Sequence, residues 1–186
     1  MPPRVVPPRV VPPPEPGRTD ERRVSRSHSA FDLIDVETDA HVAIVRALVR
    51  EYAAWIDVDL CFQEIDAEID GLPGKYAAAQ GGVLLLAVSD AQPAGCVALR
   101  ALEPGVCEMK RLWVRDAFRG AGLGELLVRT ILQRAADLGY QLMRLDTLAH
   151  MTRAQRLYAQ LGFREIPAYY DNPIPGTIYL EKSLRP

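Results

Sequence analysis

Three glycines at alternate positions, Gly120, Gly122 and Gly124, follow Arg119 and connect an apolar strand ending at Val114 to an amphipathic helix. Glycine lets main-chain N–H groups approach an anion with no Cβ in the way. The first turn of the following helix adds unpaired donors and the positive end of its dipole. Arg119 stands at the mouth of the loop, where a guanidinium can reach a phosphate oxygen. The chemistry read from Arg119, Gly120, Ala121, Gly122, Leu123 and Gly124 is therefore phosphate binding.

Two other phosphate loops compete for these residues. The lysine-containing loop fails because no Gly-Lys-Ser/Thr follows. A dinucleotide fold, and with it a nicotinamide-dependent oxidoreductase, is the stronger rival: a second strand, Tyr140 to Leu145, ends in Asp146, about where a ribose-binding acid would sit. Its third glycine would fall at position 125, however, where the chain has Glu125, a carboxylate aimed near a pyrophosphate. The strand also ends at Val114, five residues before Arg119-Gly120, whereas a dinucleotide turn leaves its strand tightly.

The strand Glu108 to Val114, the loop Arg119-Gly-Ala-Gly-Leu-Gly124 and the later Leu157-Tyr158-Ala-Gln-Leu-Gly-Phe163 resemble, in this order and spacing, the GNAT superfamily of acetyl-CoA-dependent N-acetyltransferases. The segment Tyr169 to Gly176 resembles a subgroup of small members whose substrates are mostly undefined. The likeness covers roughly Phe31 to Leu184. It implies an α/β (α+β) fold with a mixed, mostly antiparallel central sheet flanked by helices. It also implies acetyl-CoA as co-substrate, with direct attack by a primary amine of a small molecule or peptide. A non-catalytic acyl-CoA-binding regulator on the same fold is the alternative, against which Tyr158 leans.

Residue roles follow from the same resemblance. Leu112, Trp113 and Val114 would line the pantetheine slot through their main chain, although Leu112 and Val114 also read as core residues. Tyr158 lies on the apolar stripe Ala154, Leu157, Tyr158, Leu161, which by periodicity makes it a core tyrosine. In the family that tyrosine's hydroxyl sits beside the thioester sulfur and protonates the leaving thiolate. Glu108 alternates with Lys110, Leu112 and Val114 on one strand face. There it either takes the amine's proton or pairs with Lys110 or Arg111 as an ordinary carboxylate. Tyr76, Tyr169, Tyr170 and Asn172 fall in loops that the family places over the acceptor side, and Glu64 and Glu68 would offer acidity to a cationic amine.

These groups need elements to hold them. Phe31 to Val36 reads as a strand, and Thr38 or Asp39 caps a helix with the stripe Val45, Leu48, Val49, Tyr52 and Ile56. A shorter helix uses Phe62, Ile65, Ile69 and Leu72 and ends at Gly71 to Gly74. Strands follow around 83–89, 94–102 and 106–115. The helix after the glycine loop puts Glu125, Arg129, Gln133 and Asp137 on one face and Leu127, Ile131 and Leu138 toward the core, and Gly139 stops it. A buried strand at 140–146, a helix at 151–161 closed by Gly162 and a last strand at 177–182 complete the order. Strands first and then alternating strands and helices indicate a layered domain with a mixed sheet.

Composition sets the remaining bounds. A chain of 186 residues, 48% of them hydrophobic, can bury the core of one domain, assigned to 29–186. No apolar run approaches the ~20 residues that span a bilayer, so no membrane partner is expected. Residues 1–28 repeat Pro-Pro-Arg-Val-Val and carry six arginines against three acids, a balance of +3 that leaves −5 for the rest. They read as a disordered, polyproline-like tail that is either a weak basic interaction segment or a dispensable extension. The odd cysteine count (Cys61, Cys96, Cys107), with no secretory apolar segment, points to a reducing cytoplasm and buried thiols. His28, His41 and His150 are too scattered for a metal site. No basic, aromatic-interleaved patch for nucleic acid stands outside the tail, and a monomer or homodimer is expected.

Overall fold

The computed structural model describes residues 30–56 and 65–185. The expected tail over 1–28, and with it Cys61, Phe62 and Glu64, lies outside the described residues.

In chain order, β1 (Asp32–Asp35) and α1 (Asp39–Trp55) precede the short α2 (Ile65–Asp70), β2 (Val83–Ser89), β3 (Gln92–Glu103) and β4 (Val106–Val114). The second half runs α3 (Leu123–Asp137), β5 (Leu142–Leu148), α4 (Thr152–Gln160), β6 (Arg164–Ile166) and β7 (Thr177–Ser183). The strands form one sheet in the order β1-β2-β3-β4-β5-β7-β6. Every neighbouring pair is antiparallel except β4 and β5, which are parallel. This is the mixed, mostly antiparallel sheet with flanking helices that the sequence implies.

Each face buries its own apolar cluster. Leu127, Val128 and Ile131 of α3 and Tyr158 of α4 pack with Met109, Met143 and Leu145 on one side. Val45, Leu48 and Val49 of α1 and Ile69 of α2 pack with Leu84, Leu86 and Trp113 on the other. The stripe period of 3.6 in the helices and the alternation in the strands produce this division directly. Thr38 caps α1, its hydroxyl accepting from the His41 amide at 3.2 Å.

Local structure departs from the sequence reading at three places. Leu138, assigned to the core, is 51% exposed, because it caps the C-terminus of α3 just before Gly139 turns the chain at φ 85°. The three-residue β6 is too short to carry a period and was not anticipated. Most consequential is β4. Pairing with β3 runs through Ala98↔Lys110 and resumes at Cys96↔Trp113, so Arg111 and Leu112 together face one residue of β3. Arg111 takes a left-handed φ of 55° at this bulge. A bulge inserts one residue and reverses the facing of all that follow. Leu112 and Val114 therefore pack with the α3 cluster while Trp113 joins the α1 cluster, so Glu108, Lys110, Leu112 and Val114 do not share a face.

Candidate active site

The parallel ladder between β4 and β5 ends at Glu108↔Arg144, although β4 continues to Val114 and β5 to Leu148. Beyond that pair the strands part and open a cleft of about 690 Å³. Its walls are residues 109–114 of β4 and 145–148 of β5, closed at one end by the glycine loop and α3 and along one side by α4. Gly95 lets β3 stay close to the outer edge of β4: a Cβ there would lie 2.4 Å from the Trp113 carbonyl oxygen.

The glycine loop meets the cleft as an open backbone surface. Gly120 and Gly122 have φ of 86° and 84°, a region costly for residues with a Cβ. Gly122 is the N-cap of α3 and brings no side chain to cap it, so the first-turn amides keep their donors. A Cβ at Gly122 would meet nothing within 4 Å, and one at Gly120 would approach only Arg153 Nη2, at 3.9 Å. The unobstructed amides suit an anion such as a pyrophosphate. Arg153 and Arg156 of α4 line the same cleft and add positive charge that the sequence reading overlooked.

Arg119 also lines the cleft, but its guanidinium is engaged. Its Nε donates to the Val114 carbonyl at 3.0 Å, Nη1 pairs with Asp116 at 2.7 Å, and the group lies 4.8 Å and 5.0 Å from the ring centroids of Trp113 and Trp55. Leu112, Trp113 and Val114 all line the cleft, as does Tyr158 from α4. Tyr158 is 6% exposed, with its ring edge on Phe163 at 5.7 Å. Burial pushes its phenol well above the ordinary tyrosine range, so it is protonated throughout the neutral range.

Of the two groups expected to move protons, only Tyr158 lines the cleft. Glu108 is fully buried behind it, in the last rung of the β4–β5 ladder. Its Oε2 accepts from Arg100 Nε at 2.6 Å, its Oε1 accepts from the Tyr169 hydroxyl at 2.8 Å, and Lys110 Nζ lies 3.7 Å away. This resembles the paired-carboxylate reading of Glu108, with Arg100 in place of Arg111.

The expected acceptor residues lie in two other places. Tyr76 is buried at 1% exposure and its hydroxyl donates to Glu68 at 2.8 Å. Glu68 also pairs with Lys75 and, at 2.6 Å, with Arg111. Burial pushes the Glu68 carboxyl up, but the hydrogen bonds and charges of Arg111 and Lys75 outweigh it and hold the group at about 2. Its charge is thus already matched from within the fold. Tyr169 and Tyr170 stack edgewise with Tyr179 at 5.2–5.5 Å, and Asn172 donates to the Tyr170 hydroxyl at 2.9 Å.

Two polar groups at the narrow end of the cleft carry no catalytic role in the sequence reading. Lys110 and Asp146, which are 9% and 13% exposed in their side chains, pair at 2.9 Å across the point where β4 and β5 part. Asp146 had a sequence signal, an acid closing an apolar strand, but that signal suggested only a ribose ligand. Tyr52 of α1 reaches the same cleft, its phenol pushed up to about 12 by burial. Cys96 and Cys107 are fully buried, as expected, and burial pushes both thiols up to about 12. Among the described residues no three metal-ligating side chains are grouped, and no helix is long and apolar enough to cross a membrane.

The model of the Acetyltransferase (GNAT) family matches residues 42–163. An uncharacterised N-acetyltransferase of Schizosaccharomyces pombe is 43% identical over 136 residues, 73% of this chain and 83% of the yeast protein. The N-acetylaspartate synthetase of Homo sapiens is 35% identical over 102 residues, 54% of this chain but 34% of the human one. In three dimensions, a candidate acetyltransferase of Salmonella typhimurium, solved with its cofactor acetyl-CoA, aligns at a TM-score of 0.62 and 16% identity over 84% of this chain and 95% of that one.

Proposed function

Because the chain belongs to the Acetyltransferase (GNAT) family, whose members are acyltransferases, we propose that it moves the acetyl group of acetyl-CoA to a primary amine of a small molecule or peptide by direct attack. The observation that carries this reading is the cleft between the parting strands, with uncapped glycine-loop amides at one end and Tyr158 in its wall.

The chain's own groups divide the work. Amides of 120–124 hold the pyrophosphate, with Arg153 and Arg156 supplying positive charge beside them. Arg119 braces the loop through Val114 and Asp116. Main-chain groups of Leu112, Trp113 and Val114 align the pantetheine arm, which keeps the thioester fixed for attack. Tyr158, held protonated by burial, gives its proton to the departing sulfur. The tyrosine cluster Tyr169 and Tyr170, with Asn172, borders the acceptor side of the sheet.

The name of the human relative makes free amino acids the first acceptors to test. Purified protein mixed with acetyl-CoA and a panel of amino acids, polyamines and short peptides should release free thiol with at least one of them. Acetyl-CoA should also bind in calorimetry where NAD does not. Equal binding of NAD, or acetyl-CoA binding with no thiol release from any amine, would overturn the reading.

A further inference from the structure

Asp146 and Glu125 are the carboxylates that line the cleft among the described residues. Glu125 sits in the first turn of α3, beside the loop read as the phosphate site, and pairs outward with Arg129 at 2.7 Å. Asp146 instead stands at the narrow end of the cleft. The register that would follow Glu108↔Arg144 sets Lys110 opposite Asp146, and their ion pair spans the strands just where backbone pairing has ceased. It belongs to the same wall as Leu148, which packs with the α1 cluster, whereas Leu145 and Tyr158 belong to the α3 cluster. A thioester lying between the parted strands would thus have Tyr158 on one face and Asp146 on the other.

We propose that Asp146 receives the proton of the attacking amine; this rests on the acetyl-transfer reading above. The neutral amine attacks the thioester carbonyl and the C–N bond forms. The nitrogen then carries a positive charge and is far more acidic than a free ammonium, so a carboxylate is a strong enough base. Asp146 takes one proton from that nitrogen while the C–S bond breaks, and Tyr158 gives one proton to sulfur. Products are the N-acetylated amine and free thiol, and exchange with solvent returns Asp146 and Tyr158 to their starting states.

The surroundings fit this role. Lys110 is the cation beside Asp146, and their contact at 2.9 Å orients the carboxylate. Phenols of other elements lie within range of its charge: Tyr52 of α1, Tyr158 of α4, Tyr169 and Tyr170 of the 167–176 loop and Tyr179, its register partner on β7. In all five its charge opposes ionisation.

The test uses full-length protein and an amine from the panel that supports wild-type turnover, followed by free thiol from pH 6 to about 9.5. Asp146→Asn should lower kcat/KM by about a hundredfold or more at neutral pH, with recovery relative to wild type as rising hydroxide takes over the proton. Asp146→Glu should restore part of the rate. Acetyl-CoA binding heat and thermal midpoint confirm that the variants fold. Glu108→Gln should not reproduce the pH-dependent recovery. An unchanged rate in Asp146→Asn, or an equal loss at every pH in a folded variant, overturns the inference while leaving acetyl transfer in place. If wild type binds acetyl-CoA but acetylates nothing, the transferase reading itself falls and this inference falls with it.

Discussion

Tyr158 combines two properties that a residue-level reading treats as opposed: it is a packed core tyrosine and it lines the cleft. Because burial holds the phenol well above its ordinary value, it stays protonated through the neutral range. Tyr158→Phe keeps the ring against Phe163 and removes only the donor. We expect turnover to fall roughly ten- to a thousandfold with little change in acetyl-CoA affinity, measured by thiol release and calorimetry. A matching loss of affinity would place the hydroxyl in cofactor binding instead. The motif around Tyr158 was legible because it is local and contiguous. Glu108 was not, because its partners Arg100 and Tyr169 come from another strand and a distant loop.

At the scale of elements, the glycine loop matters through the start of α3. Gly122→Val puts a branched side chain at a left-handed φ and into the open space at the start of α3. We expect the acetyl-CoA binding heat to vanish. The left-handed conformation costs about 1–2 kcal/mol, so the thermal midpoint should fall by only a few degrees. Preserved binding would remove the loop from the phosphate site.

The bulge of β4 is the second device at this scale. An arginine at positive φ costs of the order of 1–3 kcal/mol and needs its surroundings to hold it. Glu68 of α2 does so through the buried ion pair with Arg111. The Glu68 carboxyl falls from about 4.5 to about 2 on folding, so its contribution is fully present above the unfolded value and lost as pH drops toward 2. The unfolding free energy from urea titrations should decline across that window, by up to about 3 kcal/mol from this group. Glu68→Gln should flatten that part of the decline and cost about 3–5 kcal/mol at pH 7, since Arg111 then loses its buried carboxylate. A mutant with an unaltered acid limb would show that the pair does not stabilise the bulge.

For the whole molecule, the domain assigned to 29–186 contains every group used above. The Pro-Arg-Val repeat of 1–28 has few residues able to join a core. We expect its removal to leave thermal midpoint and acetyl-CoA affinity unchanged. A drop of several degrees in differential scanning calorimetry would show that it packs on the domain.

Sequence alone determined what is written in contiguous residues or in a fixed period. The glycine loop entering α3, the stripes of α1 and α3, the succession of most strands and helices along the chain and the tyrosine motif of α4 are all of this kind, because hydrogen-bond geometry and side-chain period act over a few residues. Tertiary structure decided what depends on register between segments. The bulge at Arg111 reversed the faces of β4, and only pairing with β3 reveals it. The parting of β4 from β5 made the cleft and left Asp146 inside it with Lys110, while Glu108 fell one rung behind, paired and buried. Strand spacing and local propensity carry no record of where a ladder stops. That point is set by the packing of helices on both faces, which is a property of the folded sheet.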